Sequence, residues 1–140
     1  MDVESLAGEL REVLAKDERV DCAWLFGSAA RGEAGPLSDV DVAVLLSPSI
    51  APETRLEITA ALWEALERRC PRVDLVILEE APPALRHRVF RDGILLVERD
   101  ERRRVAFETR AIQEYLDFQY LSEIYDRALL ARAAEGQLGR

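Results

Sequence analysis

Two carboxylates separated by one residue, Asp39 and Asp41, stand at the start of a segment that otherwise resembles a buried strand, residues 40–46. Alternate residues of a strand point to the same face, about 6.5–7 Å apart, so these carboxylates would repel each other. Aspartate side chains are seldom buried unless they are paired or hold a cation. Mg²⁺ prefers hard oxygen ligands and often combines one or two carboxylates with phosphate oxygens. The pattern therefore predicts a divalent-cation site that acts on a phosphate-containing ligand.

A third acid extends this candidate site. Asp74 is the second residue of VDLVIL, which predicts a strand over residues 73–78. Where this strand pairs with the one that carries Asp39 and Asp41, the three carboxylates can bind two metal ions. Two ions about 3.5–4 Å apart stabilise both the attacking and the leaving oxygen of an in-line phosphoryl displacement. These three aspartates are the candidate catalytic and metal-binding residues.

A Gly-Ser turn supplies the other half of the candidate site. Gly27 and Ser28 end a predicted strand, and ten residues separate them from the first carboxylate of the pair. Glycine lets a phosphate approach the backbone, and a serine hydroxyl with the free N–H groups of a helical turn favours an anion. Ser28 is expected to cap that turn, and Arg31, which lies on it, is expected to contact a phosphate. Ser38 is the remaining candidate for nucleotide binding. One loop would hold phosphates and the next strand would hold cations, an arrangement for a nucleoside triphosphate.

Strands and helices alternate along the chain, which indicates an α/β domain. The segment of about a dozen residues between the first two strands fits either a tight crossover or an antiparallel pair, so strand order stays open. Apolar spacing and breaker residues predict helices over 3–14, 53–69, 83–93 and 100–134, one helical turn over 29–31 closed by Gly32, and strands over 20–26, 40–46, 73–78 and 94–97.

Composition limits the classes of function. The 140 residues, 49% apolar and 33% charged, suit one globular domain. The net charge of −8 repels phosphate backbones, so direct nucleic-acid binding is not expected. The charge instead suits a basic protein partner, or a small anionic substrate carried in with metal ions. Without a long apolar run or a signal pattern, no membrane association and a cytoplasmic location are expected. Cys22 and Cys70 are expected to be buried thiols.

The closing helix carries two apolar stripes, although a helix that packs against one core needs a single stripe about 100° wide. The second stripe indicates either a helix buried deeply in its own domain or a protein interface, and its aromatic residues favour the interface. The first stripe comprises Val105, Ile112, Leu116, Tyr120 and Ile124, and the second comprises Phe107, Ala111, Tyr115, Phe118, Leu121, Tyr125 and Leu129.

The segment GSAARGEAGPLSDVDVAVLL, residues 27–46, resembles the signature of the nucleotidyltransferase superfamily with the polymerase-β-like fold. It is most similar to minimal nucleotidyltransferase (MNT) domains, and among them to the MntA-type antitoxins that pair with HEPN-domain toxins of the HepT type. Residues 81–100 and the closing helix with its YLDF sequence also resemble this family. The resemblance implies a single domain over 1–140: an α/β core, 1–99, with a small mixed sheet of about four strands flanked by helices, and a partner-binding helical extension, 100–140.

The resemblance also implies a reaction. Such antitoxins transfer AMP from ATP to a tyrosine of a HEPN ribonuclease toxin, release pyrophosphate and so silence the toxin. By carry-over, Gly27 and Ser28 would hold the triphosphate, and Asp39 and Asp41 would ligate Mg²⁺, with two ions expected. Asp74 would lie near the attacking hydroxyl, as metal ligand or proton acceptor. The implied partners are ATP and a HepT-type toxin in a hetero-oligomer.

Two other functions stay open. The same motif serves nucleotidyltransferases that modify small hydroxylated molecules, such as antibiotics, but these usually carry an added substrate-binding domain. A non-catalytic module that masks a basic partner is the other alternative. The role of a basic cluster on the fourth predicted helix is undecided between a solvated surface and contact with ATP or the toxin. That cluster comprises Arg86, Arg88 and Arg91 around His87.

Overall fold

The structure, a computed structural model, describes residues 2–35 and 38–136, so the last residues of the predicted 100–140 extension lie outside it. Two short 3₁₀ turns, Pro52–Thr54 and Leu78–Glu80, precede the third and fourth helices. The described helices and strands are α1 (Val3–Ala15), β1 (Val20–Phe26), α2 (Gly27–Ala30), β2 (Val40–Leu46), α3 (Arg55–Glu67), β3 (Val73–Ile77), α4 (Pro83–Asp92), β4 (Ile94–Glu98) and α5 (Glu101–Ala134).

The strands form one mixed sheet in the order β3-β2-β1-β4. β1 pairs antiparallel with β2 and with β4, whereas β2 and β3 are parallel. The question that spacing left open is thus decided in favour of an antiparallel pair. A turn and a loop can join β1 to β2, while the parallel β2–β3 pair needs the α3 crossover. The predicted α/β architecture with a small mixed sheet and a long closing helix is confirmed.

Alternating residues of the central strands bury opposite faces of the sheet, as the period of two requires. The first face packs against α1 and α3 and includes Ala23, Leu25, Val42, Val44 and Leu46. The second face packs against α4 and the start of α5, and its buried residues are Cys22, Trp24, Phe26, Ala43, Leu45, Leu78 and Val89. Both cysteines are buried free thiols, as predicted. None of the described helices is long and apolar enough to cross a membrane.

One local prediction was wrong. The short helix α2 begins at Gly27, and its N-cap is Phe26, so Ser28 lies within the turn rather than capping it. Gly27 adopts a positive φ of 74°, which bends the chain one residue earlier than the serine pattern suggested. Gly32, with φ of 73°, closes the turn as predicted.

The closing helix α5 packs on the domain only along its first half. His87 of α4 stacks on Tyr115 with ring centroids 3.9 Å apart, and the Arg86 guanidinium lies 5.0 Å from the centre of the Phe107 ring. Ala111 is the buried residue of α5. A helix buried deeply in its own domain is therefore excluded. Beyond Tyr115 the apolar side chains of both stripes are mostly exposed, among them Leu116, Phe118, Tyr120, Leu121, Ile124 and Tyr125.

Polar contacts attach the start of α5 to the sheet. The Arg103 guanidinium donates to the Asp21 carboxylate at 2.8 Å and also to the carbonyl of Leu46. The backbone N–H of Leu46 donates to the Glu79 carboxylate at 3.0 Å. Burial raises the pKa of Glu79, although hydrogen bonds and the nearby Arg103 and Arg55 partly oppose the shift.

Glu79→Gln is expected to change how stability depends on pH. Because the folded-state pKa of Glu79 is raised, its contribution to stability is greatest below its ordinary pKa, about 4.3, and is lost as pH rises through the higher folded value. Glutamine keeps an acceptor for Leu46 but does not ionise. Urea unfolding of both proteins between pH 4 and pH 8 should show the variant gaining stability relative to the native chain as pH rises. A difference independent of pH would contradict this prediction.

Candidate functional site

Strand register brings two of the three predicted acids side by side. Asp41 of β2 pairs with Phe26 of β1 on one side and with Asp74 of β3 on the other. Residues in register on neighbouring strands point to the same face, and the strands lie about 4.8 Å apart. Asp41 and Asp74 therefore share the second face of the sheet, at its edge next to α2. The pairing of β3 beside β2 was the condition on which Asp74 was predicted to join the pair.

Gly27 lies directly against the carboxylate of Asp41. A Cβ atom added at Gly27 would overlap the Asp41 side chain, and the positive φ of 74° is a conformation that other residues rarely adopt. Glycine is therefore required here for two separate reasons. The close approach joins the two halves of the motif, since the Gly-Ser turn and the carboxylates meet at one point.

The electrostatic environment of Asp41 is unusual for a surface carboxylate. Partial burial raises its pKa, and repulsion from Asp74 and Asp39 raises it further, while the Arg88 guanidinium of α4 opposes the shift. Asp74 and Asp39 are thus close enough to disfavour the ionised form of Asp41. A divalent cation would relieve that repulsion, and the donors are all carboxylate oxygens, the hard ligands that suit Mg²⁺. The residues present fit such an ion.

Asp39, the first of the three acids, lies next to a basic side chain. Its carboxylate lies 3.4 Å from the Arg72 guanidinium, and both side chains are at least half exposed. Across residues 2–35 and 38–136, no group of three or more histidine, cysteine, aspartate or glutamate side chains is arranged to hold a metal ion. The predicted three-carboxylate cluster is therefore not preformed. Two of the acids, Asp39 and Asp74, border a shallow depression of about 400 Å³, which is also lined by Trp63, Pro71, Arg72 and Val73.

The predicted phosphate-binding side chains have other partners here. Nε of Arg31 donates to Glu33 at 2.9 Å, and Nη1 of Arg31 lies 3.8 Å from Asp92 at the end of α4. The Ser38 hydroxyl accepts from the backbone N–H of Gly35 at 3.0 Å, which stabilises the loop that leads into β2. Ser28 is half-buried in the turn beside Asp41. Contact of these residues with a nucleotide stays a prediction.

Two basic residues at the site were not predicted. Arg72 contacts Asp39, and its position two residues before Asp74 was a signal that could have placed it near the acids. Arg88 was noticed only as one member of a basic cluster, because the sequence does not show which side of α4 faces the sheet.

A second depression, of about 640 Å³, lies between α1 and α3 on the first face of the sheet. Its lining includes Arg69, which pairs with Glu9 and Glu12 at 2.6 and 2.8 Å. The three arginines of its lining pair with carboxylates of the protein, and none of the motif acids lines it. Size alone therefore does not identify the site.

A mixed sheet that sets a Gly-Ser turn against carboxylates on two neighbouring strands defines the nucleotidyltransferase class. The family model described as "Polymerase beta, Nucleotidyltransferase" matches residues 8–102. The chain belongs to this family. No curated protein sequence matches it.

Solved structures agree with this assignment. A chain of a toxin–antitoxin complex determined with AMP-PNP has 25% sequence identity and a TM-score of 0.67; the match covers 89% of this chain and 98% of that one. A protein described as a minimal nucleotidyltransferase has 33% identity and a TM-score of 0.50, over 67% of this chain and 95% of that one.

A third structure shares the fold. It is the complex of a tri-AMPylated Shewanella oneidensis HEPN toxin with an MNT antitoxin, and the matched chain has 22% identity and a TM-score of 0.63, over 91% of this chain and 98% of that one.

Proposed function

We propose that this chain is the antitoxin of a two-protein system and transfers AMP from ATP to a tyrosine hydroxyl of a HEPN ribonuclease toxin. The observation that carries the proposal is the combination of a nucleotidyltransferase site with a long helix whose apolar side chains are exposed. The similarity to a toxin–antitoxin chain determined with AMP-PNP supports it, because that match extends over nearly the full length of both chains.

The proposed roles follow from the site. Gly27 and Ser28 hold the triphosphate, and Asp39 and Asp41 would hold Mg²⁺ once Asp39 turns from Arg72. Asp74 is either a further metal ligand or the proton acceptor. The bound cation would neutralise phosphate charge and favour the ionised form of the attacking hydroxyl, whose ordinary pKa is about 10. The tyrosine oxygen forms a bond to the α-phosphorus as the bond to the bridging oxygen breaks. Pyrophosphate leaves, and the hydroxyl proton passes to Asp74 or to solvent.

The proposal divides the chain into two functional parts. Residues 1–99 form the catalytic core, and residues 100–140 form an extension that binds the toxin. The start of α5 is held on the sheet by Arg103 and on α4 by the His87–Tyr115 stack. The following turns present aromatic and aliphatic side chains to solvent, the composition that protein interfaces favour.

One observation favours a second candidate function. Asp39 is paired with Arg72, and the acids are not arranged to hold a metal ion. A module that binds and masks its partner without catalysis would have no need of a preformed cation site. Transfer to a small hydroxylated molecule has no comparable support from the structure.

The mass of the partner separates these functions. The chain is co-expressed with the protein encoded beside it, the pair is purified, and the partner is weighed intact. A second preparation uses the Asp39→Ala/Asp41→Ala variant. A partner heavier by one or more AMP units only with the native chain is expected. An unmodified partner that still co-purifies and stays inactive would support masking instead.

A further inference from the structure

The three arginines of the basic cluster on α4 have different surroundings. Arg86 is held within the protein: Nε donates to the carbonyl of Leu78 at 2.8 Å, and Nη2 donates to that of Glu79 at 3.0 Å. Its guanidinium also pairs with Glu114 of α5 at 3.2 Å. Arg86 therefore has a structural role in joining α4 to α5 and to the end of β3.

Arg91 is also paired. Its guanidinium makes two contacts with Asp92, at 3.0 and 2.8 Å, and this pair lies at the end of α4. Asp92 in turn approaches Arg31 of the α2 turn at 3.8 Å. The positive charges of Arg91 and Arg31 are thus already offset by carboxylates.

Arg88 differs from both neighbours. Within residues 2–35 and 38–136 its side chain makes no hydrogen bond or ion pair. Arg88 and Asp92 are four residues apart on one helix and so share a face. Through Asp92 that face lies against the α2 turn, and α4 itself covers the sheet face that carries Asp41.

We propose that Arg88 is a nucleotide-binding residue that contacts a phosphate of the triphosphate bound between the Gly27-Ser28 turn and the acids. This inference rests on the proposed function. A guanidinium suits this role because its fork of donors matches phosphate oxygens and stays charged. Arg88 offers a cation on α4, the helix that covers the sheet face of Asp41, so a triphosphate with its metal would meet charges of both signs.

Binding of AMP-PNP with Mg²⁺, measured by calorimetry, tests the inference without any transfer reaction. Arg88→Gln is expected to weaken binding about 10-fold or more, as for loss of one hydrogen bond to a charged group. Arg88→Lys, which keeps the charge but not the fork, should recover part of that loss. The matched control is Arg102→Gln. It removes the same charge from an exposed position in the first turn of α5. That turn follows Glu98 of β4, which pairs with Cys22 near the start of β1, whereas Asp41 pairs with Phe26 at the end of β1.

The outcomes separate the two levels of the proposal. If the native chain binds no AMP-PNP, the proposed function itself fails. If the native chain binds and Arg88→Gln binds equally well, the inference about Arg88 is wrong. Equal weakening by Arg88→Gln and Arg102→Gln would also overturn it, because the effect would then come from net charge. Thermal unfolding of each variant confirms that the comparison is between folded proteins, and Arg88→Lys serves if the glutamine variant is unstable.

Discussion

Asp41→Asn is expected to lower the rate of AMP transfer by about 100- to 1,000-fold, the usual effect of removing one electrostatic contributor from an active site. The fold should persist, with a melting temperature equal to or above that of the native chain. The physical reason is that burial and repulsion from Asp74 and Asp39 disfavour the charge of Asp41, and asparagine is neutral. Transfer is measured by the mass of the partner, and stability by thermal unfolding.

Ligand-induced stabilisation supplies a second readout for the same variant. Mg²⁺ with ATP should raise the melting temperature of the native chain, because a ligand that binds only the folded state stabilises it. The shift should be small or absent for Asp41→Asn. Glu57→Gln on α3 is the control, since it removes one negative charge from an exposed position. Unfolding of Asp41→Asn would show that the acid is structural, and undiminished transfer would exclude it from the site.

The Leu121→Ser/Tyr125→Ala variant is expected to bind the partner about 30- to 1,000-fold more weakly, which corresponds to about 2–4 kcal/mol at the centre of an interface. The two side chains are four residues apart on α5, so they share one face of the helix. They are 63% and 65% exposed, and the chain's own stability should change little when they are replaced. Affinity is measured with the inactive Asp41→Asn background, so that modification does not complicate binding.

Leu56→Ser is the matched control for this experiment. Leu56 is 80% exposed on α3 and tests whether any loss of exposed apolar surface weakens the complex. Native affinity in that control, with weak binding of the α5 variant, would locate the interface on the second half of α5. Native affinity in the α5 variant would show that the partner binds elsewhere and that the extension has another role.

The central motif was predictable because its chemistry is local in sequence. Asp39 and Asp41 are separated by one residue, so a strand that contained both would place them on one face, although β2 begins at Val40 and Asp39 lies just before it. Gly27 lies a short connection upstream of both acids. Asp74 was predictable only under a condition, namely that β3 pairs beside β2. The register of Asp41 with Asp74 meets that condition, and it depends on the α3 crossover rather than on any residue near the motif.

The side-chain partners were not predictable, because they join residues distant in sequence. Arg72 and Asp39 are 33 positions apart in sequence, yet their side chains form an ion pair. Similarly, Arg86, Arg88 and Arg91 look alike as a basic cluster. Their separation into structural, paired and available arginines depends on which side of α4 meets the sheet, α2 and α5.

By itself, the sequence determined the α/β class and the positions of the main helices and strands. It also indicated that a Gly-Ser turn and an Asp-x-Asp segment belong to one site. Each of these features depends on residues that are close together in sequence. Only the tertiary structure decided the antiparallel β1–β2 pairing, the exposure of the second half of α5 and the surroundings of each arginine. These features depend on packing between segments that are distant in sequence. The same local sequence pattern is compatible with a residue that faces the core, a neighbouring helix or solvent.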